Sequence, residues 1–433
     1  MKQKTIGPVL ATFLVAGNMI GSGIYLLPAT LASVGSASLI GWMIACAGSL
    51  ALGAVFATLA RARPKADSLA GWVGEGLGPF FGFQASLAFL ITNWIGIVAI
   101  ALAVTGYAAW FVPILKEPVW STAATLAVIW LTTGLNLTGA RPVAGLGGLT
   151  LAIGLLPILL AIGLGAAAFD PALFAASWNV SGRPLAEAVP ASLVMVFWAF
   201  LGLECAALAG AVVREPEKNV PVATFAGVIL AGAVYMAATA ALMGAIPAAD
   251  IARSTAPFAD MVARVAGSGG GALVAACALV KTLGTVAGWI LVNAEVSRSA
   301  AARGWLPRVM SGTRPDGVPA RDILVTGVMM SAVALTTASP TLIGQFNTLV
   351  NVVVVLQLFV YLLACAALVR FLPELRARTG ALAGLVLGGA FCVWAIVASE
   401  SQLLRVSVAI VALIAAAWLI GPGRKPAPVA AAR

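Results

Sequence analysis

The first apolar segment of the chain is interrupted near its middle by glycine and polar residues. The segment runs from about residue 6 to residue 34, and the interruption reads GNMIGSG over residues 17–23. About 20 apolar residues are enough to cross a bilayer, so the segment is long enough to be a membrane span. Glycine weakens helices, and unwound backbone within hydrocarbon is tolerated only where protein buries it or where it lines a cavity. The sequence therefore predicts a membrane helix that unwinds beside a cavity.

Composition places the chain in the membrane. Of its 433 residues, 61% are hydrophobic and 9% are charged, whereas a soluble domain has about 25% charged residues. Histidine is absent, which excludes a Ser-His-Asp triad, histidine metal ligands and a histidine proton relay. The five cysteines lie singly in apolar segments without metal-ligand or redox spacing. We therefore expect no metal and no cofactor, and packing roles for the cysteines.

Hydropathy predicts twelve transmembrane helices, and therefore an all-α polytopic membrane fold. Their approximate limits are residues 7–34, 37–60, 79–112, 119–138, 143–168, 188–213, 221–247, 270–297, 322–338, 342–371, 380–399 and 402–421. We expect residues 1–421 to form one transmembrane domain, followed by a disordered cytoplasmic tail at residues 422–433 that is rich in proline and alanine.

The basic residues predict the orientation of these helices. Nineteen of the 25 lysines and arginines fall in one set of alternating loops, which the positive-inside rule places in the cytoplasm. Both termini belong to this set, which requires an even number of helices. We expect a multi-pass protein of the inner cell membrane with both termini cytoplasmic. Because orientation explains the net charge of +10, we expect the lipid bilayer and no nucleic acid as a partner.

The sixth segment repeats the interruption of the first more weakly. It reads WAFLGLE over residues 198–204, so a glycine precedes a carboxylate by two positions at mid-segment. Five helices separate the first segment from the sixth, so the two cross the membrane in opposite directions. Matching interruptions in halves of opposite topology are typical of transporters built from inverted repeats. The repeats would span about residues 7–168 and 188–371, with two extra helices at 380–421.

The interrupted segments resemble those of a known family. Residues 17–28 are similar to the first-helix motif of the amino acid–polyamine–organocation transporters, residues 196–204 to their sixth helix, and residues 214–221 to the loop after it. Within this superfamily the chain most resembles the bacterial basic amino acid/polyamine antiporters of the arginine/agmatine exchanger type. Further similarity lies at residues 113–118, 177–182 and 288–289. The resemblance implies a LeuT-like five-plus-five inverted repeat with broken helices 1 and 6. Related exchangers are often dimers, but no residue of this sequence indicates a homodimer.

The resemblance also implies a substrate site at the two breaks. An amino acid needs partners for both charged ends: freed carbonyls suit its ammonium, and the amino end of a half-helix suits its carboxylate. The matching positions assign the carboxylate to Ser22 and the Gly23 N–H, and the ammonium to the carbonyls of Met19, Trp198 and Leu201. The alternative for the small residues is tight helix packing. The candidate substrate-binding residues are Asn18, Met19, Ile20, Gly21, Ser22, Gly23, Thr92, Asn93, Ile97, Trp198, Ala199, Leu201, Trp289 and Val353.

Two tryptophans of this set match family positions that gate the substrate and stack on its cationic side chain. They are Trp198 and Trp289, and an aromatic face attracts a desolvated cation by about 2 kcal/mol. The alternative is that both are core or interfacial tryptophans. Asn18, just before the first break, either contacts the substrate or caps freed backbone groups.

Three further residues are candidates for gating or proton coupling: Phe89, Glu204 and Lys281. Ionisable residues deep in a membrane are rare and are paired or functional. Glu204 matches a family glutamate associated with proton sensitivity, so its protonation is a hypothesis for coupling; the alternative is a structural carboxylate. Lys281 departs from the exchanger pattern. It could replace a coupling cation, lose a proton during the cycle or repel a cationic substrate, or it could form an ion pair or extend its ammonium toward water.

Other departures make the substrate pocket more apolar than arginine would require. Ile97 stands where the exchangers carry asparagine, valines fill residues 352–355 where they carry serines, and Phe89 replaces a tyrosine. Thr92 and Asn93 restore some polarity on the third helix, and Asn351 and Gln357 are candidates to do so on the tenth. The sequence therefore predicts exchange of an amino acid for a related amino acid or amine, with proton-coupled transport or export of neutral amino acids as the alternative.

Other functional classes fit the sequence less well. A channel would need a continuous polar stripe along several helices, and a sensor would need a soluble output domain. An enzyme would need clustered catalytic side chains, whereas only two ionisable residues lie deep in the predicted helices. We therefore expect a transporter and not an enzyme.

Overall fold

A computed structural model describes residues 7–21, 23–64, 66, 68–208, 213–375 and 378–420. Every element in these residues is a helix. The first eight are α1 (Pro8–Met19), α2 (Gly23–Leu31), α3 (Ser38–Ala62), α4 (Leu69–Leu77), α5 (Pro79–Phe111), α6 (Pro118–Asn136), α7 (Ala140–Ala167) and α8 (Pro171–Ala176). The others are α9 (Leu185–Phe197), α10 (Cys205–Leu208), α11 (Pro216–Ala245), α12 (Ala248–Arg253), α13 (Pro257–Ala302), α14 (Ala320–Thr336), α15 (Leu342–Phe371), α16 (Arg378–Val397) and α17 (Ser401–Ile420).

Each predicted membrane segment coincides with a helix or with a broken helix. By length and composition, eight helices of the described residues can cross a membrane, and the bent pair α1–α2 makes a ninth. The other predicted segments coincide with α7, with α9 and α10, and with α14. The prediction of an all-α polytopic membrane fold is confirmed, while the predicted tail at residues 422–433 lies outside the described residues.

The first predicted span is broken as the sequence indicates. Helix α1 ends at Met19, and α2 begins at Gly23 with its axis bent by 48°. Between them the Gly21 N–H turns back to the Met19 carbonyl at 2.7 Å, a bond outside the regular helical pattern. The backbone at Ile20 and Gly21 is therefore not helical, and both residues are buried.

The sixth predicted span is broken too, and it ends earlier than predicted. Helix α9 stops at Phe197, a single 3₁₀ turn follows at Trp198–Phe200, and the four-residue α10 begins at Cys205. Gly202 has φ +98°, a conformation that a side chain disfavours and that prevents α9 from continuing. The predicted segment at 188–213 is therefore a broken helix, and residues 209–212 lie outside the described residues.

The eighth predicted segment extends further than hydropathy indicated. Helix α13 runs to Ala302 rather than to residue 297, and it includes a kink at Gly267, where φ is +83°. Helix α13 packs against α7 and α5, and α15 also packs against α5. These three long helices and the two broken spans form the interior, and α16 and α17 pack on the outside of α3, α5 and α15.

Candidate functional site

The two helix breaks lie against each other. The Asn18 Cβ stands 3.5 Å from the position that a Cβ on Gly202 would occupy, so the last turn of α1 touches the unwound segment after α9. The indole of Trp198 packs on Gly23: a methyl group on that glycine would stand 3.1 Å from the Trp198 Cδ1. The far edge of the same indole reaches Gly96 of α5, at 3.3 Å from a methyl built there. The absence of a side chain at Gly23 and Gly96 thus lets the tryptophan ring pack closely on both.

Two adjoining cavities open beside the breaks. The smaller has a volume of about 60 Å³ and the larger about 940 Å³. Both are lined by Asn18, Phe89, Glu204, Thr285 and Trp289, so they meet at the breaks.

The structure brings together most of the residues that the sequence singled out. The smaller cavity is lined by Asn18, Met19, Gly21, Gly23, Phe89, Thr92, Asn93, Ile97, Trp198, Leu201, Glu204, Trp289 and Val353. Lys281 lines only the larger cavity. Ile20 and Ala199 are buried but line neither cavity. Ser22 lies outside the described residues.

The backbone carbonyls at the breaks are partly engaged within the protein. The Met19 carbonyl accepts two hydrogen bonds, from the Tyr235 hydroxyl at 2.9 Å and from the Gly21 N–H at 2.7 Å. The Trp198 carbonyl accepts the Leu201 N–H at 3.2 Å. A carbonyl oxygen has two lone pairs, so Trp198 retains acceptor capacity for an ammonium, whereas Met19 has none to spare in this conformation.

The smaller cavity has a polar wall and an apolar wall. On α5, the Thr92 Oγ1 and the Asn93 Nδ2 are buried and have no hydrogen-bond partner among the described residues. Buried polar groups without partners are costly, so both are available to a bound molecule. Ile97 and Val353 form the apolar wall, as the departures from the exchanger pattern predicted.

The carboxyl group at the second break is held by a tyrosine. The Tyr361 hydroxyl of α15 donates to the Glu204 Oε2 at 2.7 Å, and both side chains are buried. The Tyr361 ring packs edge-on against Phe56, with centroids 4.9 Å apart, and against Phe197 at 6.3 Å. The bond ties the unwound segment between α9 and α10 to α15.

The larger cavity reaches the surface at one end. It extends from the breaks along α13 to Glu295, Arg303 and Trp305, beside the basic loop that follows α13. Beyond the breaks, two buried tyrosines join α2, α5 and α7. Tyr107 donates to the Tyr25 carbonyl at 3.2 Å, and the Tyr25 hydroxyl donates to the Gly154 carbonyl at 3.1 Å. The structure is therefore open toward the basic loop and packed on the opposite side.

Four residues of the site were not identified from the sequence, or were identified only in part. Thr285, Tyr235 and Tyr361 were not predicted, and Gln357 was named only as a source of polarity on α15. The two tyrosines reach partners 216 and 157 residues away, which no local pattern reveals. Thr285 lies one turn from Lys281 on the same helix face, and that spacing could have identified it. Asn351 bonds to the Asn347 carbonyl and lines neither cavity.

The described residues contain no cluster of His, Cys, Asp and Glu placed to hold a metal ion. What they contain is a cavity for a small molecule between two broken membrane helices, open to one face. Such a cavity gives an enclosed cargo access to one side of the membrane at a time, which is the working geometry of secondary transporters. The fold and the site together define a polytopic membrane transporter.

Comparison with known proteins agrees with this class. The profile of the amino acid permease family matches residues 6–427, and the chain belongs to that family. The cadaverine/lysine antiporter of Escherichia coli is 34% identical over 403 residues, covering 92% of this chain and 90% of the relative. The putrescine transporter PotE of Escherichia coli is 34% identical over 368 residues, covering 85% and 84%. PotE of Haemophilus influenzae is 32% identical over 367 residues, again covering 85% and 84%.

Proposed function

We propose that this protein exchanges an amino acid for a related amino acid or amine by alternating access. The observation that carries the proposal is the cavity between the two helix breaks, lined by charged, polar and aromatic groups and open toward one side. A cadaverine/lysine antiporter and putrescine transporters among the relatives support an amino acid or an amine as the cargo. Arginine and agmatine remain one pair to test within this class.

The proposed binding mode follows from the groups that face the cavity. The substrate carboxylate binds at the amino end of α2, at the Gly23 N–H, with Ser22 as its predicted partner. The ammonium binds the carbonyls of Trp198 and Leu201, since the Met19 carbonyl already accepts two bonds. A cationic side chain stacks on Trp289, which lines both cavities.

We propose that the change from the state open on one side of the membrane to the state open on the other breaks and forms the contacts described above. Opening toward the far side requires α2, α5 and α7 to separate, which breaks the bonds of Tyr25 and Tyr107. Closing toward the basic loop requires the end of α13 to approach α1. Glu204 is the proposed coupling group, because it is a buried carboxyl on the broken helix and its Tyr361 partner lies on a different helix.

The orientation and symmetry of the chain are part of this proposal. The basic loops lie in the cytoplasm of an inner-membrane protein, so the open cavity faces the cytoplasm. Residues 7–168 and 188–371 are two inverted halves, each with its first helix broken.

A second candidate is proton-coupled transport or export of a neutral amino acid. It is favoured by the apolar wall of Ile97 and Val353, which offers no partner to a guanidinium. The two candidates differ in what drives uptake, because exchange needs substrate inside the vesicle and proton coupling needs a pH gradient.

The test is uptake by the purified protein in proteoliposomes. Vesicles are preloaded with arginine, lysine or leucine or left empty, and labelled amino acid is added at pH 5 and pH 7.5. Uptake that requires preloading, in the absence of a pH gradient, supports exchange. Uptake of leucine into empty vesicles driven by a pH gradient supports the second candidate. No uptake under either condition, with a lysine/cadaverine exchanger active in parallel vesicles, contradicts both.

A further inference from the structure

Lys281 is a buried lysine without a counter-ion. Its side chain is 7% exposed and lines the larger cavity. The Nζ donates to the Thr285 Oγ1 at 3.3 Å, and no carboxylate oxygen of the described residues lies within 4.0 Å of it. A buried charge is costly unless an opposite charge balances it. The ammonium therefore lines the cavity without a charge partner among the described residues.

The fold provides a niche for this side chain. Gly154 of α7 faces Lys281: a methyl group there would stand 2.6 Å from the Lys281 Cβ, 2.8 Å from its Cδ and closer still to its Cγ. The Gly154 carbonyl is fixed by the Tyr25 hydroxyl at 3.1 Å. The lysine stem is thus held between α13 and α7, which directs the ammonium to the Thr285 hydroxyl instead of to water at the surface.

The ammonium also lies close to the first helix break. Thr285, its hydrogen-bond partner, packs on Gly21, with its methyl carbon 3.7 Å from a methyl built on that glycine. The amino end of α2 begins two residues later at Gly23, with its free N–H groups and the positive end of its dipole. One threonine side chain therefore separates the ammonium from Gly21, which shortly precedes the amino end of α2.

Few other charges face this cavity. Glu204 lies at the second break and accepts the Tyr361 hydroxyl. At the outer mouth, Glu295 pairs with Arg298 at 2.8 Å, and the guanidinium of Arg303 lies over Trp305 at 5.5 Å. The inner end of the cavity thus carries one cation near α2 and one carboxyl group near α15.

We propose that Lys281 selects the cargo by charge: its ammonium pairs with the carboxylate of an amino acid and disfavours diamines, which have no carboxylate to balance it. This inference rests on the proposed function and specifies its substrate class. We therefore expect this chain to disfavour diamines, whereas the names of its relatives include cadaverine and putrescine. The cargo of this cavity is a carboxylate-bearing amino acid whose carboxylate lies between Lys281 and the amino end of α2.

The expected size of the selection follows from Coulomb's law. Even two unit charges as far apart as about 8 Å, at an effective dielectric constant of about 20, change a binding constant by about thirty-fold, and a direct ion pair is closer than that. The ammonium attracts the carboxylate of an amino acid, whereas a diamine has no anionic group to offer it. We therefore expect at least a ten-fold preference for lysine over cadaverine, which differ only in the carboxylate.

The experiment is competition for labelled lysine uptake into lysine-loaded proteoliposomes. Unlabelled lysine, cadaverine and norleucine compete, and the ratio of half-inhibitory concentrations for cadaverine and lysine is measured. Lys281→Met keeps the length of the stem without the charge, and it should lower that ratio at least ten-fold. Lys281→Arg keeps the charge and should retain the preference for lysine. The exposed Lys218→Met should leave the ratio as in the wild type.

A purely structural lysine would give a different result. Loss of packing would weaken lysine, cadaverine and norleucine together and leave their ratio unchanged in Lys281→Met. That result, or a wild type that takes cadaverine as readily as lysine, would overturn the proposal. If Lys281→Met does not fold, Gly154→Ala keeps the ammonium but displaces it, and the ratio should fall there too.

Failure of the proposed function would be seen separately. If the wild type exchanges none of the three compounds, the proposed exchange is wrong, whatever the role of Lys281. In that case the preference for lysine over cadaverine is measured without transport, from the concentration of each compound that stabilises the purified protein against heat. A preference for lysine that disappears in Lys281→Met would still support the charge selection, and equal stabilisation by both would refute it.

Discussion

Replacing Tyr361 by phenylalanine tests whether the broken helix is tied to α15 through Glu204. The change removes one hydroxyl and keeps the ring, whose edge-on contacts with Phe56 and Phe197 need no oxygen. The lost hydrogen bond joins two buried groups at 2.7 Å. It contributes about 1–3 kcal/mol, the lower figure for a neutral carboxyl acceptor and the upper figure for a charged one. With an unfolding entropy of about 2.1 cal/mol/K per residue, this corresponds to a fall in Tm of about 1–3 °C for a chain of this length.

The assay is a double-mutant cycle on the purified protein, with Tm followed by tryptophan fluorescence. The second variant is Glu204→Leu, which removes the acceptor while filling a similar volume. Since the two groups interact directly, Tyr361→Phe should lower Tm in the wild type and have almost no effect in the Glu204→Leu background. An equal fall in both backgrounds would show that the hydroxyl acts elsewhere, and no fall in the wild type would show that the bond does not stabilise this state.

Three further predictions concern packing, the substrate cation and the surface. Gly48→Ala should lower Tm by about 1–3 °C, because its methyl would stand 2.6 Å from the Phe391 Cε2 and overpacking costs about 1–3 kcal/mol; an unchanged Tm would contradict the α3–α16 contact. Trp289→Leu should weaken competition by lysine about two- to thirty-fold and competition by norleucine much less, and equal loss for both would exclude a cation-binding role. The Arg63 guanidinium lowers the pKa of the Glu374 carboxyl below its ordinary value of 4.5 by hydrogen bonding, so this pair stabilises the protein above that pH and the contribution is lost as the pH falls through the lowered pKa. Glu374→Gln should therefore have a slightly lower Tm than the wild type at pH 7, and the difference should shrink as the pH falls below 4.5; a difference independent of pH would contradict the pair.

The sequence predicted the fold well because its signals are local. The length of each apolar segment identifies the spans. Glycine and polar residues at mid-span identify the two breaks, near residue 21 and at residues 198–204, because unwound backbone within hydrocarbon must be buried by protein or line a cavity. The predicted end of α13 was wrong: the helix runs five residues further, over residues 298–302, because Arg298 and Ser299 lower the hydropathy there while the helix continues.

The site was predicted only where it lies on the breaks themselves. The partners that fix the breaks come from α11 and α15, through Tyr235 and Tyr361, and their pairing depends on the three-dimensional arrangement of distant helices. The position of Lys281 was clear from the sequence, but its niche was not, because Gly154 is one of 46 glycines and nothing marks it as the residue opposite the lysine.

The central claim is that the cargo binds between the two helix breaks. The most direct measurement is a cryo-electron microscopy structure, in lipid nanodiscs, with the amino acid that the exchange assay identifies. We expect density for the substrate in contact with Gly23 and Trp198, with its carboxylate toward α2. Density outside both cavities, with the space between the breaks filled by side chains, would contradict it.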